Sequence, residues 1–491
     1  MDPFIGDWDG IDYTMLSLIG YPSSMALGRN LFIFGNHVLY EIARAFFDVP
    51  RENAYLLFKY TVVAQAPLAV IACWILARDF AKSIYTATLA AFFLALSPIF
   101  VLYSGQIMTD VPSVLLLIVA LIVHFRGVIR QSSWMVIAGA GLIGLGINLR
   151  ETVGFYAPWL VLAPFLLGWQ FRRREIVIVG LSLLVFLLLG LGWFGYWFFT
   201  DPQYRLVWFG WRESLRQESA RHPVTIRNLW PFIVYFFVSA PLVFVALPFA
   251  AMNEWRQRKI SPLLLLGIAG LAADLALFLS YSTSVNWRYF LTGLPALAPL
   301  SADYLIRRLT GRFGSPRLAI NLCIFAVLLM AFIFGILIRP VSRDFAKRRE
   351  ITRTYRDRLV KLPRDAVMIS GAQTIAVTYW KAIGAGEWET IGTGGGWPGD
   401  QFVPLIEKYL SEGRRVFLDS DPRLWVPCNW QRDEIQEVVK LESRFHFRRV
   451  SETIYEIEPP TDNMASDVPH LQRLLSENRP EAERRCPPGG A

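Results

Sequence analysis

The sequence predicts an α-helical polytopic membrane protein with an α/β domain at its C-terminal end, and three observations carry that prediction. Of the 491 residues, 54% are hydrophobic and only 18% charged, whereas soluble domains are usually about 45–50% apolar and about 25% charged. The apolar residues gather into long runs between residues 57 and 340. The arginines and lysines sit in short clusters between those runs, so the net charge of +9 reads as membrane topology, and nucleic acid is excluded as a partner. The four cysteines, Cys73, Cys323, Cys428 and Cys486, have no CxxC spacing. Neither a disulfide framework nor a zinc site follows from them.

The first region, residues 1–55, mixes polar and apolar residues too closely to span a bilayer. Within it Leu31-Phe32-Ile33-Phe34, then Leu39, Ile42, Ala43, Phe46 and Phe47 form a helical apolar stripe. Such a stripe suits a helix lying in the membrane interface. Residues 56–340 are read as the transmembrane domain. A span needs about 20 mostly apolar residues. Ten stretches approach or meet that length, at 57–77, 84–103, 111–125, 133–149, 152–170, 176–199, 229–251, 261–281, 289–306 and 317–338. Alternate connections carry fourteen positive charges in one set and seven in the other. The positive-inside rule makes the richer set cytoplasmic, which puts residues 1–55 and everything after 340 outside. No signal peptide opens the chain, so a further span ahead of Met1 is expected, giving eleven in all and a cytoplasmic N-terminus.

Residues 341–458 change character. Strand-like runs at Ala366–Ile369, Arg415–Leu418 and Thr453–Ile457 alternate with helix-like ones at Thr374–Ala382, Gln401–Leu410 and Asp433–Phe445. That pattern predicts a small extracytoplasmic α/β domain with a parallel or mixed sheet. Residues 459–491, rich in Pro, Glu, Arg and Ser, read as a disordered tail. The glycine run Gly392-Thr393-Gly394-Gly395-Gly396 lacks the strand, lysine and helix of a phosphate loop.

Charge is costly at membrane depth, so charged residues at the outer ends of spans are the first candidates for function. Asp9 and Asp12, in Trp8-Asp9-Gly10-Ile11-Asp12-Tyr13, are placed to act as a general base or as a helix cap. Asp110 stands directly before an apolar run and two residues ahead of Pro112. It reads as an ordinary helix start or as a carboxylate that orients an acceptor or holds a divalent cation. Arg150 and Glu151 fall between two apolar runs with almost no loop; they either pair with each other or free Arg150 for a lipid phosphate. Arg288, in Asn286-Trp287-Arg288-Tyr289-Phe290, is an interfacial anchor or a phosphate contact. His37 is a weaker candidate for a phosphate donor or metal ligand. Asp274, deep in a span, reads as a locally hydrogen-bonded acid or as part of a proton path. The pattern itself dictates no cofactor.

Taken in order, these segments resemble the GT-C glycosyltransferases, in particular the dolichyl-phosphate-mannose protein mannosyltransferases and their bacterial relatives. The resemblance covers roughly residues 9–305. Asp9-Gly10-Ile11-Asp12-Tyr13 stands where that family has an Asp-Glu-x-x-Tyr type motif, and Asn36-His37-Val38-Leu39-Tyr40 where it has a His-Pro-Pro-Leu-Tyr-like segment. Trp74 to Pro112, then Arg288-Tyr289-Phe290 with Leu294-Pro295, continue the likeness. Gly10 replaces the second acid and Val38 the prolines. The resemblance implies a GT-C-like fold in a bacterial inner membrane. It also implies transfer of a sugar from a polyprenyl-phosphate donor, at the outer face and with inversion, to a lipid, glycan or protein acceptor. Asp9 and Asp110 are then the catalytic candidates, and Asp12, Tyr13, His37, Arg150, Arg288 and Tyr289 the substrate-binding ones. The competing class is a transporter or flippase, whose polar residues would gather nearer the midplane.

The charge asymmetry predicts that residue 257 is cytoplasmic and residue 400 extracytoplasmic. With Cys428 and Cys486 removed, a cysteine at Gln257 should resist an impermeant thiol reagent in intact cells while one at Asp400 reacts; the opposite labelling would invert the topology.

Overall fold

The computed structural model describes residues 8–23, 27–221, 229–256, 261–280, 287–370, 374–392, 402–419, 441 and 444–459. Nearly all of the helix expected over 433–445, the glycine run after Gly392, and the tail lie outside these residues. The chain divides into two compact units. One comprises Met1–Leu18, Val49–Tyr55 and Pro340–Ala491, the other Ile19–Asp48 and Leu56–Arg339.

The second unit is a helical array. Its helices are α2 (Asn30–Phe47), α3 (Ala54–Ala81), α4 (Ile84–Ala95), α5 (Pro98–Ser104), α6 (Asp110–Ile129), α7 (Ser133–Ile147), α8 (Ala157–Leu166) and α9 (Arg173–Thr200). They are followed by α10 (Pro202–Arg221), α11 (Leu229–Ser239), α12 (Pro241–Arg256), α13 (Pro262–Ser280), α14 (Leu294–Phe313) and the 44-residue α15 (Pro316–Leu359), whose residues from Pro340 on belong to the first unit. Among the described residues five helices are long and apolar enough to cross a membrane, or up to seven if each of two bent pairs forms one span. The bends correct two of the expected runs. The run over 84–103 breaks between α4 and α5 with a 61° bend, and the run over 229–251 between α11 and α12 with a 104° bend. Pro98 and Pro241 cause both, because a proline bars helical geometry in the residue before it yet fits a helix's first turn. The stretch over 152–170 is a 3-10 turn, Glu151–Tyr156, followed by the ten-residue α8.

Helix α7 explains how these segments pack. Its glycines let backbones approach as small residues do between membrane helices. A Cβ on Gly139 would come within 2.6 Å of the His124 backbone on α6, and one on Gly144 within 2.6 Å of the Phe186 carbonyl oxygen on α9. Just past the helix, the Asn148 side-chain amide donates to the Leu189 carbonyl at 2.7 Å and to that of Gly190 at 3.3 Å. The end of α7 is thereby pinned to the middle of α9, and the next residues carry the charges described below.

The first unit contains α1 (Trp8–Ile19) and a five-stranded sheet in the order β2-β1-β3-β5-β4. The strands are β1 (Val367–Ser370), β2 (Glu389–Gly392), β3 (Val416–Asp419), β4 (His446–Arg449) and β5 (Ile454–Glu458). The β1–β2 and β1–β3 pairs are parallel and the β3–β5 and β4–β5 pairs antiparallel, so the sheet is mixed. Helices α16 (Thr374–Ala382) and α17 (Phe402–Ser411) make the crossovers. Strands β2 and β4 were not among the expected ones, and both lie at sheet edges.

A candidate phosphate-binding cluster and an acidic helix

Four chain segments bring their charges together in the helical unit. The first ends in Arg29, just ahead of α2, with a left-handed backbone at φ 51°. Its guanidinium reaches Thr109 Oγ1 at 3.4 Å, the Leu149 carbonyl at 3.2 Å and both carboxylate oxygens of Glu151 at 2.8 and 3.1 Å. The Leu31 amide donates to the Asn148 carbonyl at 3.1 Å, so the start of α2 is knitted to the segment that α7 and α9 hold fixed.

The second and third segments meet in the Asp110–Arg150 ion pair. Asp110 opens α6, and Arg150 lies between α7 and the turn at Glu151. Only 2% and 4% of their respective side-chain surfaces are exposed. Two charges this deep are tolerated only because each neutralises the other. Of the two readings of Arg150 and Glu151, mutual pairing is not the one the structure shows: Glu151 pairs with Arg29 and Arg150 with Asp110.

The fourth segment is the 3-10 turn Trp287–Leu291. The Arg288 guanidinium lies 5.8 Å from the centre of the Tyr289 ring and that of Arg150 5.6 Å from the same ring. Arg288 also reaches Met108 Sδ at 3.8 Å. The structure thus gathers the sequence candidates Asp110, Arg150, Arg288 and Tyr289, keeps Glu151 beside them and adds Arg29. Among the described residues three guanidiniums are gathered here with two carboxylates, and planar donors of this kind suit a phosphate.

No contact between this cluster and the remaining candidates is described. His37, on α2, is half-buried, and its ring lies where a Cβ on Gly20 would meet it at 3.1 Å. Asp9, Asp12 and Tyr13 belong to α1, in the first unit. Asp9 occupies the first turn, where a helix N-terminus favours negative charge. Tyr13 is buried. Burial first, and then the like charge of Asp9, raise the Asp12 carboxyl from its ordinary value to about 7. Among the described residues no three His, Cys, Asp or Glu side chains gather as a metal site, and the Asp110 carboxylate faces an arginine.

Comparison with known proteins bears on the sequence of part of the chain and on the fold of nearly all of it. The family model for dolichyl-phosphate-mannose-protein mannosyltransferase matches residues 38–197. An undecaprenyl phosphate-alpha-4-amino-4-deoxy-L-arabinose arabinosyl transferase of Pseudomonas aeruginosa strain LESB58 is 28% identical over 263 residues, which cover 52% of this chain and 47% of that protein. The corresponding protein of strain UCBPP-PA14 is 28% identical over 181 residues, 37% of this chain and 32% of its own length. The chain spans about half the length of the relatives it matches. Among solved structures, ArnT from Cupriavidus metallidurans bound to undecaprenyl phosphate superposes with a TM-score of 0.57 at 13% identity, over 94% of this chain and 95% of that one. The chain therefore has a GT-C-like fold and is an integral membrane protein, and its resemblance to mannosyltransferase-like GT-C enzymes stands.

The charge network makes a pH prediction. Burial pushes the Glu151 carboxyl up, but Arg29, then Arg150 and Arg288, outweigh it and hold the group below its ordinary value. A carboxyl held down in this way contributes its full stability above the ordinary glutamate range and loses it as pH falls through that range and below. Glu151→Gln should therefore unfold at a lower temperature than wild type at pH 7, and the difference should shrink below about pH 4. An unchanged difference from pH 7 to pH 3 would show that the charge of Glu151 contributes nothing.

Proposed function

We propose that this chain is a membrane glycosyltransferase that takes a sugar from a polyprenyl-phosphate carrier and transfers it to an acceptor at the extracytoplasmic face. The observation that carries the reading is the cluster of Arg29, Arg150 and Arg288 at the ends of apolar helices, where a membrane-held phosphate would present itself. The likeness to arabinosyl transferases that use undecaprenyl phosphate-linked donors, and to a structure with undecaprenyl phosphate bound, supports a lipid-phosphate donor over transport.

In this proposal the arginines stabilise the departing lipid phosphate, whose charge grows as the sugar–oxygen bond breaks. Asp9 takes the proton from the acceptor nucleophile, which attacks the anomeric carbon from the opposite side and inverts it. Asp12, Tyr13 and His37 contribute to substrate binding. Asp110 serves by holding Arg150 in place. The names of the relatives favour a pentose over a hexose, and the acceptor is a lipid, glycan or protein. The membrane in this proposal is a bacterial inner membrane, and the positive-inside pattern supports an extracytoplasmic C-terminal domain.

Purified protein incubated with a labelled polyprenyl-phosphate sugar should transfer or hydrolyse the sugar, whereas translocation in vesicles without bond cleavage would contradict the proposal. Within the enzyme, Asp9→Asn keeps shape while removing basicity. It should cost about 10²–10⁴ in turnover. Near-normal turnover in Asp9→Asn beside an inactive Asp12→Asn enzyme would move the role to Asp12.

A further inference from the structure

Asp274 is a carboxylate within the span formed by α13, only 3% exposed, and no step proposed above uses it. An acid at that depth is costly unless it satisfies something. Its Oδ1 accepts the Gly293 backbone N–H at 2.9 Å. Gly293 is the N-cap of α14, where helix amides lack intrahelical partners and water is excluded by the surrounding bundle. The fit is close on both sides. A Cβ on Gly293 would fall 2.2 Å from Asp274 Oδ2, and one on Gly270 of α13 would fall 2.7 Å from the Gly293 carbonyl oxygen.

The neighbouring Thr292 is gripped from a different direction. Tyr156 Oη donates to the Thr292 carbonyl at 2.9 Å, and the Thr152 and Thr292 hydroxyls lie 3.1 Å apart. Thr152 and Tyr156 belong to the 3-10 turn that begins at Glu151, immediately after Arg150. Thr292 and Gly293 follow immediately on the turn that carries Arg288 and Tyr289. Two consecutive residues are therefore fixed by three hydrogen bonds, one to the helix behind them and two to the turn that holds the other arginine. All four side chains, of Thr152, Tyr156, Asp274 and Thr292, are buried.

We infer that Asp274, with Tyr156 and Thr152, forms a clamp on Thr292–Gly293 that sets the separation of Arg150 and Arg288, making Asp274 a positioning residue for the lipid phosphate. This rests on the assignment of the arginines to that phosphate. The clamp accounts for the acid by its acceptor oxygen, so the acceptor is what must be kept. A proton path through Asp274 would instead require the ionisable group itself. Small displacements of groups that bind a reacting phosphate have large effects, which is why a contact so far from Arg288 along the fold bears on its placement.

The full-length chain in detergent, titrated with undecaprenyl phosphate and followed by native mass spectrometry alongside thermal unfolding, tests this. Asp274→Leu should weaken binding about tenfold, and Tyr156→Phe and Thr292→Ala, each removing one polar atom, about three- to fivefold. Asp274→Asn and Thr292→Ser, which keep the acceptor and the hydroxyl, should restore it. If Asp274→Leu does not fold, the two single-atom variants decide. Wild-type binding in Tyr156→Phe and Thr292→Ala, with Arg288→Ala impaired, would overturn the clamp. So would Asp274→Asn failing as Asp274→Leu does, since charge and not the acceptor would then be required. Wild-type binding in Arg288→Ala would instead remove the phosphate assignment, and the clamp's purpose with it.

Discussion

The buried Asp110–Arg150 pair is the interaction on which the arrangement of the helical unit's charged end depends. Either residue alone would be an isolated charge in an apolar bundle, and removing one partner of such a pair typically costs about 3–5 kcal/mol. Together they join the start of α6 to the segment after α7. Arg150 being occupied, Glu151 is left to Arg29, and that contact in turn fixes the start of α2. The Tyr289 ring, lying beside both Arg150 and Arg288, brings in the fourth segment. One neutralised pair thus lets two further arginines stand at the end of the bundle, and their guanidiniums are what the proposed donor would meet.

That arrangement relies on backbone as much as on charge. Glycines on α7 allow contacts with α6 and α9 that no side chain would permit. The Asn148 amide converts the close approach into directional hydrogen bonds to α9. Arg150 follows two residues later, so its position is inherited from helix packing. The turn bearing Arg288 packs Phe290 against Phe232 and Phe236 of α11, and the two residues after it are held by α13 and by the turn at Glu151.

Much of this was legible in the sequence, for identifiable reasons. Asp110, Arg150 and Arg288 stood out because charge beside long apolar runs is rare, and the cost of burying it makes partners necessary. Arg29 did not stand out. It lies in a short polar stretch without periodicity, and its partners Thr109 and Glu151 are 80 and 122 residues away. The same locality problem hid the partner of Glu151, which is not its neighbour in sequence. In the C-terminal domain, β1, β3 and β5 were readable as apolar runs because they are the inner strands of the sheet. Strands β2 and β4 were not, since edge strands tolerate polar residues such as Arg448 and Arg449. The broken runs at Pro98 and Pro241 carried their signal openly, but hydropathy averaged over a window passes across a single proline.

The most direct measurement is an electron cryomicroscopy structure of the full-length chain with undecaprenyl phosphate. The account predicts phosphate density within hydrogen-bonding distance of at least two of Arg29, Arg150 and Arg288, with the Asp110–Arg150 pair retained. A phosphate bound elsewhere, with these three arginines engaged only by Asp110, Glu151 and Tyr289, would contradict it.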